Sequence, residues 1–286
     1  MKQKITIALA QIGNVLGDID KNLETHYQMI EQAIDEKCDL IMFPELSLTG
    51  YSLKDAVYDA ALFDNDAKYD TLKELSRHIS IVTGVVELSK NYEIFNSAFF
   101  YEDGQMLTKH RKVYLPTYGL FEEKRYFSSA NRFRAFDSKL GRLGLLICED
   151  VWHPSSSIIL SQDGASVILT MAAGVARGFN TDERPENVQD WESINRALSI
   201  FTTSYIVFVN RVGVEDGLMY WGGSEIYDPH GRRSVKGPYF EENLVIGEMD
   251  MLKLKHSRIT STVLSDEKLT VDIEELSRIH AGRKNY

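Results

Sequence analysis

Apolar residues recur along this chain in two rhythms, and each predicts a different kind of element. Residues 4–12, KITIALAQI, are dense in apolar and β-branched side chains and predict a buried first strand. Leu23, Tyr27, Ile30 and Ile34 then recur at steps of four, three and four, the spacing that stacks side chains on one helical face. Asp18 or Asp20 can cap that helix. CDLIMFPEL reads as a second strand stopped by Pro44, and Leu72, Leu75 and Ile79 predict the inner face of a helix over 66–79. IVTGVVEL, IFNSAFFYE and QMLTKHRKVYL predict neighbouring strands joined through turns such as Glu102-Asp103-Gly104. An aromatic, charged loop over residues 114–131 interrupts the pattern before RFRAF and RLGLLIC resume it. A helix over 155–163, a strand at SVILTMA, a helix over 187–202 and a strand at YIVFVNRV follow. Short strands come next, with turns at Asp228-Pro229-His230-Gly231 and Lys236-Gly237-Pro238, and the chain finishes in a polar, charged tail.

Composition narrows this picture. The 286 residues, 43% of them apolar, suffice for one large α/β domain, and no repeat or linker divides them. Residues 1–286 are therefore read as a single domain, the last ~15 forming the tail, with helices covering the outer faces of two strand layers. Against 32 basic residues stand 42 acidic ones, and a net charge of −10 argues against a nucleic-acid partner. No apolar run approaches the roughly 18–20 residues that cross a bilayer, so no membrane partner is expected either. The opening MKQKITIALAQIGNV alternates and returns quickly to polar sequence, which suits a strand better than a signal peptide. Two cysteines, Cys38 and Cys148, cannot form a disulfide framework, and a reducing cytoplasm is the expected setting.

Three chemically capable residues share one kind of position. Glu45 follows DLIMFP, Lys112 lies near the end of QMLTKHRKVYL, and Cys148 ends RLGLLIC. Each stands where an apolar strand emerges into a loop, so its side chain can enter a cleft while the sheet fixes its backbone. Taken singly, each has an ordinary reading: a solvated loop acid, a surface lysine in the cluster Lys109-His110-Arg111-Lys112, and a small buried hydrophobe like Cys38. The segment ICEDVWHP shifts the balance for Cys148, because two acids and a strand-breaking Trp152-His153-Pro154 follow it at once. A helix starting near Pro154 would also favour negative charge beside the sulfur. Together the three divide a reaction: a carboxylate takes the thiol proton, the sulfur attacks an acyl carbon, and an ammonium stabilises the oxyanion.

These residues resemble the nitrilase superfamily of carbon–nitrogen hydrolases, whose members share a Glu-Lys-Cys triad. The resemblance runs over nearly the whole chain. ITIALAQIGNVLGDIDKN is similar to the family's first strand and loop, and LIMFPELSLTGY, HRKVYLPTYGLFEEKRYF and GLLICEDVWHP are similar to its three catalytic blocks. WGGSEIYDPHGR is similar to its glycine-rich strand and turn. The resemblance implies a four-layer α-β-β-α sandwich, with Glu45 as general base, Lys112 as electrophilic stabiliser and Cys148 as nucleophile. It places a fourth acid on Glu123, and a slip of one residue would put Glu122 there instead. The backbone N–H of Glu149 would share the oxyanion with Lys112. No metal or organic cofactor has a task in this chemistry, and His153 is read as a helix-start histidine. The family's usual pairing implies a homodimer or higher homo-oligomer.

Within the superfamily, YLPTYGLFEEKRYF most resembles the glutamine-hydrolysing domains of NAD synthetases, although no synthetase domain or glycine-rich ATP loop stands in these residues. That resemblance implies substrate contacts at Tyr51, Tyr118, Phe121, Glu149 and Trp152, an aromatic wall with one acid suited to an ammonium. The segment Met171-Ala172-Ala173-Gly174 lacks the serines usual in those glutaminases, while Arg177 could reach a carboxylate. The expected activity is amide hydrolysis on a small molecule, releasing ammonia and a carboxylic acid through a cysteine thioester. Three alternatives stand beside it: a glutaminase subunit for a separately encoded synthetase partner, a nitrilase acting on R–C≡N, and a non-catalytic binding module.

Overall fold

A computed structural model describes residues 2–178 and 184–283. Alternation within the strands divides their side chains between two faces, and the fold follows from what covers each face. The strands are β1 (Lys4–Gln11), β2 (Leu40–Met42), β3 (Leu62–Phe63), β4 (Ser80–Leu88), β5 (Ile94–Glu102), β6 (Gln105–Arg111), β7 (Phe136–Ser138), β8 (Gly141–Ile147), β9 (Val167–Ala172), β10 (Tyr205–Asn210), β11 (Val212–Glu215), β12 (Leu218–Trp221), β13 (Glu225–Tyr227), β14 (Arg233–Lys236) and β15 (Asn243–Asp250). One sheet runs β15-β1-β2-β4-β5-β6 with β3 beside β4, and a second runs β14-β13-β10-β9-β8-β7. β11 and β12 form a separate hairpin.

Ile5, Ile7 and Leu9 of β1 point at the second sheet, where they meet Leu145 and Ile147 of β8, Leu169 and Met171 of β9, and Val207 and Val209 of β10. The intervening residues face outward. Ala8 and Ala10 pack with Leu23, Ile30 and Ala33 of α1 (Ile19–Asp35), while Leu146, Ile168 and Phe208 lie in a cluster with Leu160, Trp191 and Leu198. These last three belong to two helices, Pro154–Gln162 and Glu186–Phe201, that cover the second sheet. The result is the α-β-β-α sandwich expected from the sequence. Asp18 is the residue that caps α1, its carboxylate accepting from the Lys21 N–H at 3.0 Å.

The helix's buried face differs from the one the spacing suggested: it runs through Leu23, His26, Ile30 and Ala33, with Tyr27 and Ile34 flanking it. Three other elements also differ. The helix expected over 66–79 is a 3-10 turn followed by Asp70–Leu75, and Ile79 is buried at the entrance to β4. Of RFRAF only Phe136 is in a strand; the preceding residues form a loop, pinned where the Ala135 N–H donates to Asp163 Oδ2 at 2.7 Å. Short strands flank the turns at 228–231 and 236–238 as expected, and beyond β15 the chain forms two helices of ten residues or more where a polar, charged tail was read. They are Met251–Thr260, which buries Leu254, and Leu269–Arg283, in which no residue is buried. Among the described residues, no helix is long and apolar enough to cross a membrane.

Candidate active site

The two sheets present their chemically capable residues at one end of the sandwich. Glu45 sits in the loop that leaves β2, and that loop is laced to β4: the Phe43 N–H donates to the Val82 carbonyl at 2.9 Å and the Leu48 N–H to that of Gly84 at 3.1 Å. Gly84 is what permits this close passage. A Cβ built there would lie 2.4 Å from the Leu46 nitrogen and 2.5 Å from the Pro44 carbonyl oxygen. Lys112 follows β6, and its N–H donates to the Asn96 carbonyl on β5 at 2.9 Å, so the two residues stand side by side. Both side chains then reach Glu45 Oε1, Lys112 Nζ and Asn96 Nδ2 each at 2.7 Å. Glu45 Oε2 accepts the Ala173 N–H at 2.8 Å. Its carboxylate is therefore held on three sides in a fully buried position.

Glu123 completes the cluster from the short helix Glu123–Tyr126 in the aromatic loop. Lys112 Nζ donates to its Oε1 at 2.7 Å, and the Tyr51 hydroxyl donates to the same oxygen at 2.5 Å. Glu122 is exposed, so of the two adjacent acids it is Glu123 that the structure brings to Lys112. Lys112 is completely buried, so the surface-lysine reading does not hold. Burial works against its charge, but the Glu123 and Glu45 carboxylates outweigh it and hold the ammonium well above its ordinary pKa. Glu123 moves the other way. Burial, reinforced by Glu45 and opposed by Lys112, pushes its carboxyl up to about 7. Its Oε2 is buried and has no partner among the described residues.

Cys148 opens a 3-10 turn, Cys148–Trp152, directly after β8. Its φ is +46°, a left-handed conformation that costs a non-glycine residue on the order of 1–3 kcal/mol and persists only where the surroundings enforce it. Asp150 supplies that enforcement. One of its buried carboxylate oxygens accepts the Ile147 N–H at 3.1 Å and His110 Nε2 at 2.8 Å. The other accepts the Val113 and Tyr114 N–H groups, each at 3.0 Å. A single carboxylate thus ties the cysteine's turn to the chain just beyond Lys112. Burial raises the Cys148 thiol well above its ordinary pKa, with Glu45 adding to the effect and Lys112 opposing it. The Glu149 N–H, second in the turn, precedes the first residue able to donate within a 3-10 ladder and has no backbone acceptor among the described residues.

Five of the six residues proposed for substrate contact share a rim. Tyr118 donates its hydroxyl to Glu149 Oε2 at 2.9 Å and meets Phe121 edge-on, with ring centroids 5.6 Å apart. Tyr51 meets Phe121 from another side at 6.2 Å, and the Arg177 guanidinium lies 5.4 Å from the Phe121 ring centre. Trp152 instead packs edge-on against Trp191 at 5.4 Å, beneath the outer helices. His153 precedes the helix Pro154–Gln162 and stacks on Tyr114 at 3.5 Å, the structural place expected of it. Cys38 is buried and its thiol is pushed up to about 11, chiefly by burial.

Sequence reasoning missed Asn96, the Ala173 N–H and the pair Asp150–His110. Asn96 left a signal, as an amide inside the apolar run IFNSAFF that must find a partner when buried. The Ala172-Ala173-Gly174 segment, noted for its lost hydroxyls, serves here through its backbone. Nothing local distinguishes Asp150 from Glu149.

The sequence matches the carbon–nitrogen hydrolase family model over residues 6–258. It is 31% identical to the glutamine-dependent NAD(+) synthetase of Acinetobacter baylyi over 254 residues, 88% of this chain and 46% of that protein. Over 237 residues, 80% of this chain and 82% of the other, it is 27% identical to a Schizosaccharomyces pombe protein named "Probable nitrilase C965.09". The chain spans about half the length of the NAD synthetases it matches. A carbon–nitrogen hydrolase from Helicobacter pylori G27 superimposes with a TM-score of 0.86 at 24% identity, covering 96% of this chain and 98% of that one. Fold, motif order and family match agree, and the chain belongs to the carbon–nitrogen hydrolase family of the nitrilase superfamily.

Proposed function

We propose that this protein is an amidase that cleaves a linear amide through a thioester on Cys148, releasing ammonia and a carboxylic acid. The observation that carries the reading is Lys112, fully buried with its ammonium 2.7 Å from both Glu45 and Glu123, beside a cysteine on a left-handed turn. An ammonium has three protons to donate. Two are committed to the carboxylates, and the third is available to a developing oxyanion.

Glu45 takes the thiol proton as the sulfur attacks the amide carbon, and the carbonyl π electrons move to oxygen. Lys112 and the Glu149 N–H stabilise that oxyanion. As the tetrahedral adduct collapses, the carbon–nitrogen bond breaks and the nitrogen leaves as ammonia with the proton from Glu45. Water then adds to the thioester, giving its proton to Glu45, and the carbon–sulfur bond breaks to return the thiol and a carboxylic acid. Glu123 orients Lys112 through Oε1, while its unpartnered Oε2 suits the N–H of the substrate amide.

The rim favours an ω-amide that carries both charges, such as glutamine. Glu149 is suited to an α-ammonium, and Arg177, whose Nε has no partner among the described residues, is suited to an α-carboxylate. A glutaminase subunit feeding ammonia to a separate synthetase is the second reading, supported by the 31% identity to a glutamine-dependent enzyme. The test is ammonia release from a panel of glutamine, ω-amidated dicarboxylates, short aliphatic amides and nitriles, with Cys148→Ala beside the wild type. The expected result is release from an amide and none from the variant, with an acyl adduct at Cys148 in mass spectra. Turnover of nitriles alone would make the protein a nitrilase, and unchanged release from Cys148→Ala would overturn the mechanism.

A further inference from the structure

We propose that a cavity of about 570 Å³ on the flank of the sandwich binds a small phosphate-bearing anion. Its walls carry Lys109, His110, Arg111, Arg132 and Arg134, and among the described residues no carboxylate lines it. In a chain of net charge −10 such a cluster runs against the average and calls for a reason.

Two of these cations are answered from behind. Arg111 forks onto Glu87 at 2.9 and 2.6 Å, and Lys109 reaches Asp64 Oδ2 at 2.7 Å as well as Glu87. Arg132 and Arg134 are exposed and make no ion pair or side-chain hydrogen bond among the described residues. Asp163 is already bound by Arg142 at 2.9 Å and by the Ala135 N–H. Glu87 and Asp64 thus offset Lys109 and Arg111, and the two guanidinium charges of Arg132 and Arg134 on the cavity wall are left without a paired carboxylate among the described residues, the complement of a phosphate dianion.

The segment that carries both arginines is not free to fold away. The Ala130 N–H donates to the Lys112 carbonyl at 3.0 Å, and the Ala135 N–H is fixed on Asp163 at 2.7 Å. Guanidinium groups carried on a fixed backbone can take phosphate oxygens through bidentate hydrogen bonds. Phe95 and Phe136 add an apolar wall, with the Arg111 guanidinium stacked 3.9 Å from the Phe95 ring centre. None of Glu45, Lys112, Glu123 or Cys148 lines the cavity, so an occupant would not use the groups assigned to amide hydrolysis.

The test is isothermal titration at roughly physiological ionic strength with inorganic diphosphate and, separately, AMP. Each probe should bind the wild type saturably at one site, with equal affinity for Cys148→Ala. Arg132→Ala/Arg134→Ala should bind about tenfold or more weakly, because two charge-assisted contacts are lost. The charge-matched Lys255→Ala/Lys268→Ala, on the exposed C-terminal helical region, should bind as the wild type does. Tighter binding of AMP would assign the aromatic wall to its base, and tighter binding of diphosphate would assign the site to the phosphates alone; both support the site. Absence of saturable binding would overturn it, as would equal loss in the two double variants or loss of binding in Cys148→Ala. Matching melting temperatures would show that each variant is folded.

Discussion

Substituting alanine for Gly84 perturbs Glu45 without touching any group assigned to chemistry. The new Cβ would lie 2.4 Å from the Leu46 nitrogen and 2.5 Å from the Pro44 carbonyl oxygen, with the Glu45 carbonyl carbon at 2.9 Å. Ordinary contact begins near 3.4 Å, so backbone must move by about 1 Å. These obstacles are main-chain atoms of the loop that carries Glu45, and no side chain can rotate to relieve them. Glu45 bonds Lys112 and Asn96 at 2.7 Å and Ala173 at 2.8 Å, and a shift of that size would carry such contacts past the useful hydrogen-bonding range. Overpacking of this kind costs about 1–3 kcal/mol of stability, which leaves the sandwich folded. A misplacement of about 1 Å at a general base costs on the order of 100-fold in turnover. Ammonia release gives kcat and KM, thermal melting gives stability, and the rate of Cys148 alkylation reports base assistance without any substrate. Wild-type turnover and alkylation, combined with the expected loss of stability, would show that β4 absorbs the strain. Gly84 would then have no part in placing Glu45.

Lys112→Met should lower turnover by about 100- to 1000-fold, the usual cost of losing an oxyanion donor, and should destabilise the fold because two buried carboxylates lose their shared cation. A full rate in this variant would exclude the oxyanion role. Asp150→Asn replaces an acceptor of four hydrogen bonds with a group that accepts on one side only, so kcat should fall while KM holds. Spectroscopy of His110 should register the changed partner, and an unaltered kcat would reduce Asp150 to a packing role. Glu123 carries a pH signature. Its carboxyl rises from 4.5 unfolded to about 7 folded, so between those values the folded state holds the extra proton. That contribution favours folding below pH 4.5 and is lost as pH climbs through 7. Glu123→Gln should therefore flatten the stability profile between pH 4.5 and 7, measured by urea unfolding, and an unchanged slope would place the titration on another group.

Local chemistry was enough to place most of the strands and the three reactive positions. KITIALAQI and SVILTMA are near-continuous apolar runs because each strand has helices on one side and another sheet on the other, so both of its faces are apolar. Such runs are legible without knowing their neighbours. RFRAF failed because a five-residue rhythm of apolar and charged residues is also what a pinned, cation-bearing loop looks like.

Tertiary structure alone decided what those strands meet. β1 pairs antiparallel with β15, Lys4 opposite Asp250, across nearly the whole chain, and no local signal encodes that register. It also decided the state of the site. Lys112 belongs by sequence to a cluster of surface-like cations, yet it is buried because Glu45 and Glu123 arrive from other segments to neutralise it. Two adjacent acids, Glu149 and Asp150, are indistinguishable in ICEDVWHP; the turn sends one to the rim and the other into four hydrogen bonds. A residue's type states what it can donate, accept or attack, and that much is local. Whether it is charged, strained or held in place depends on partners that only folding brings within reach.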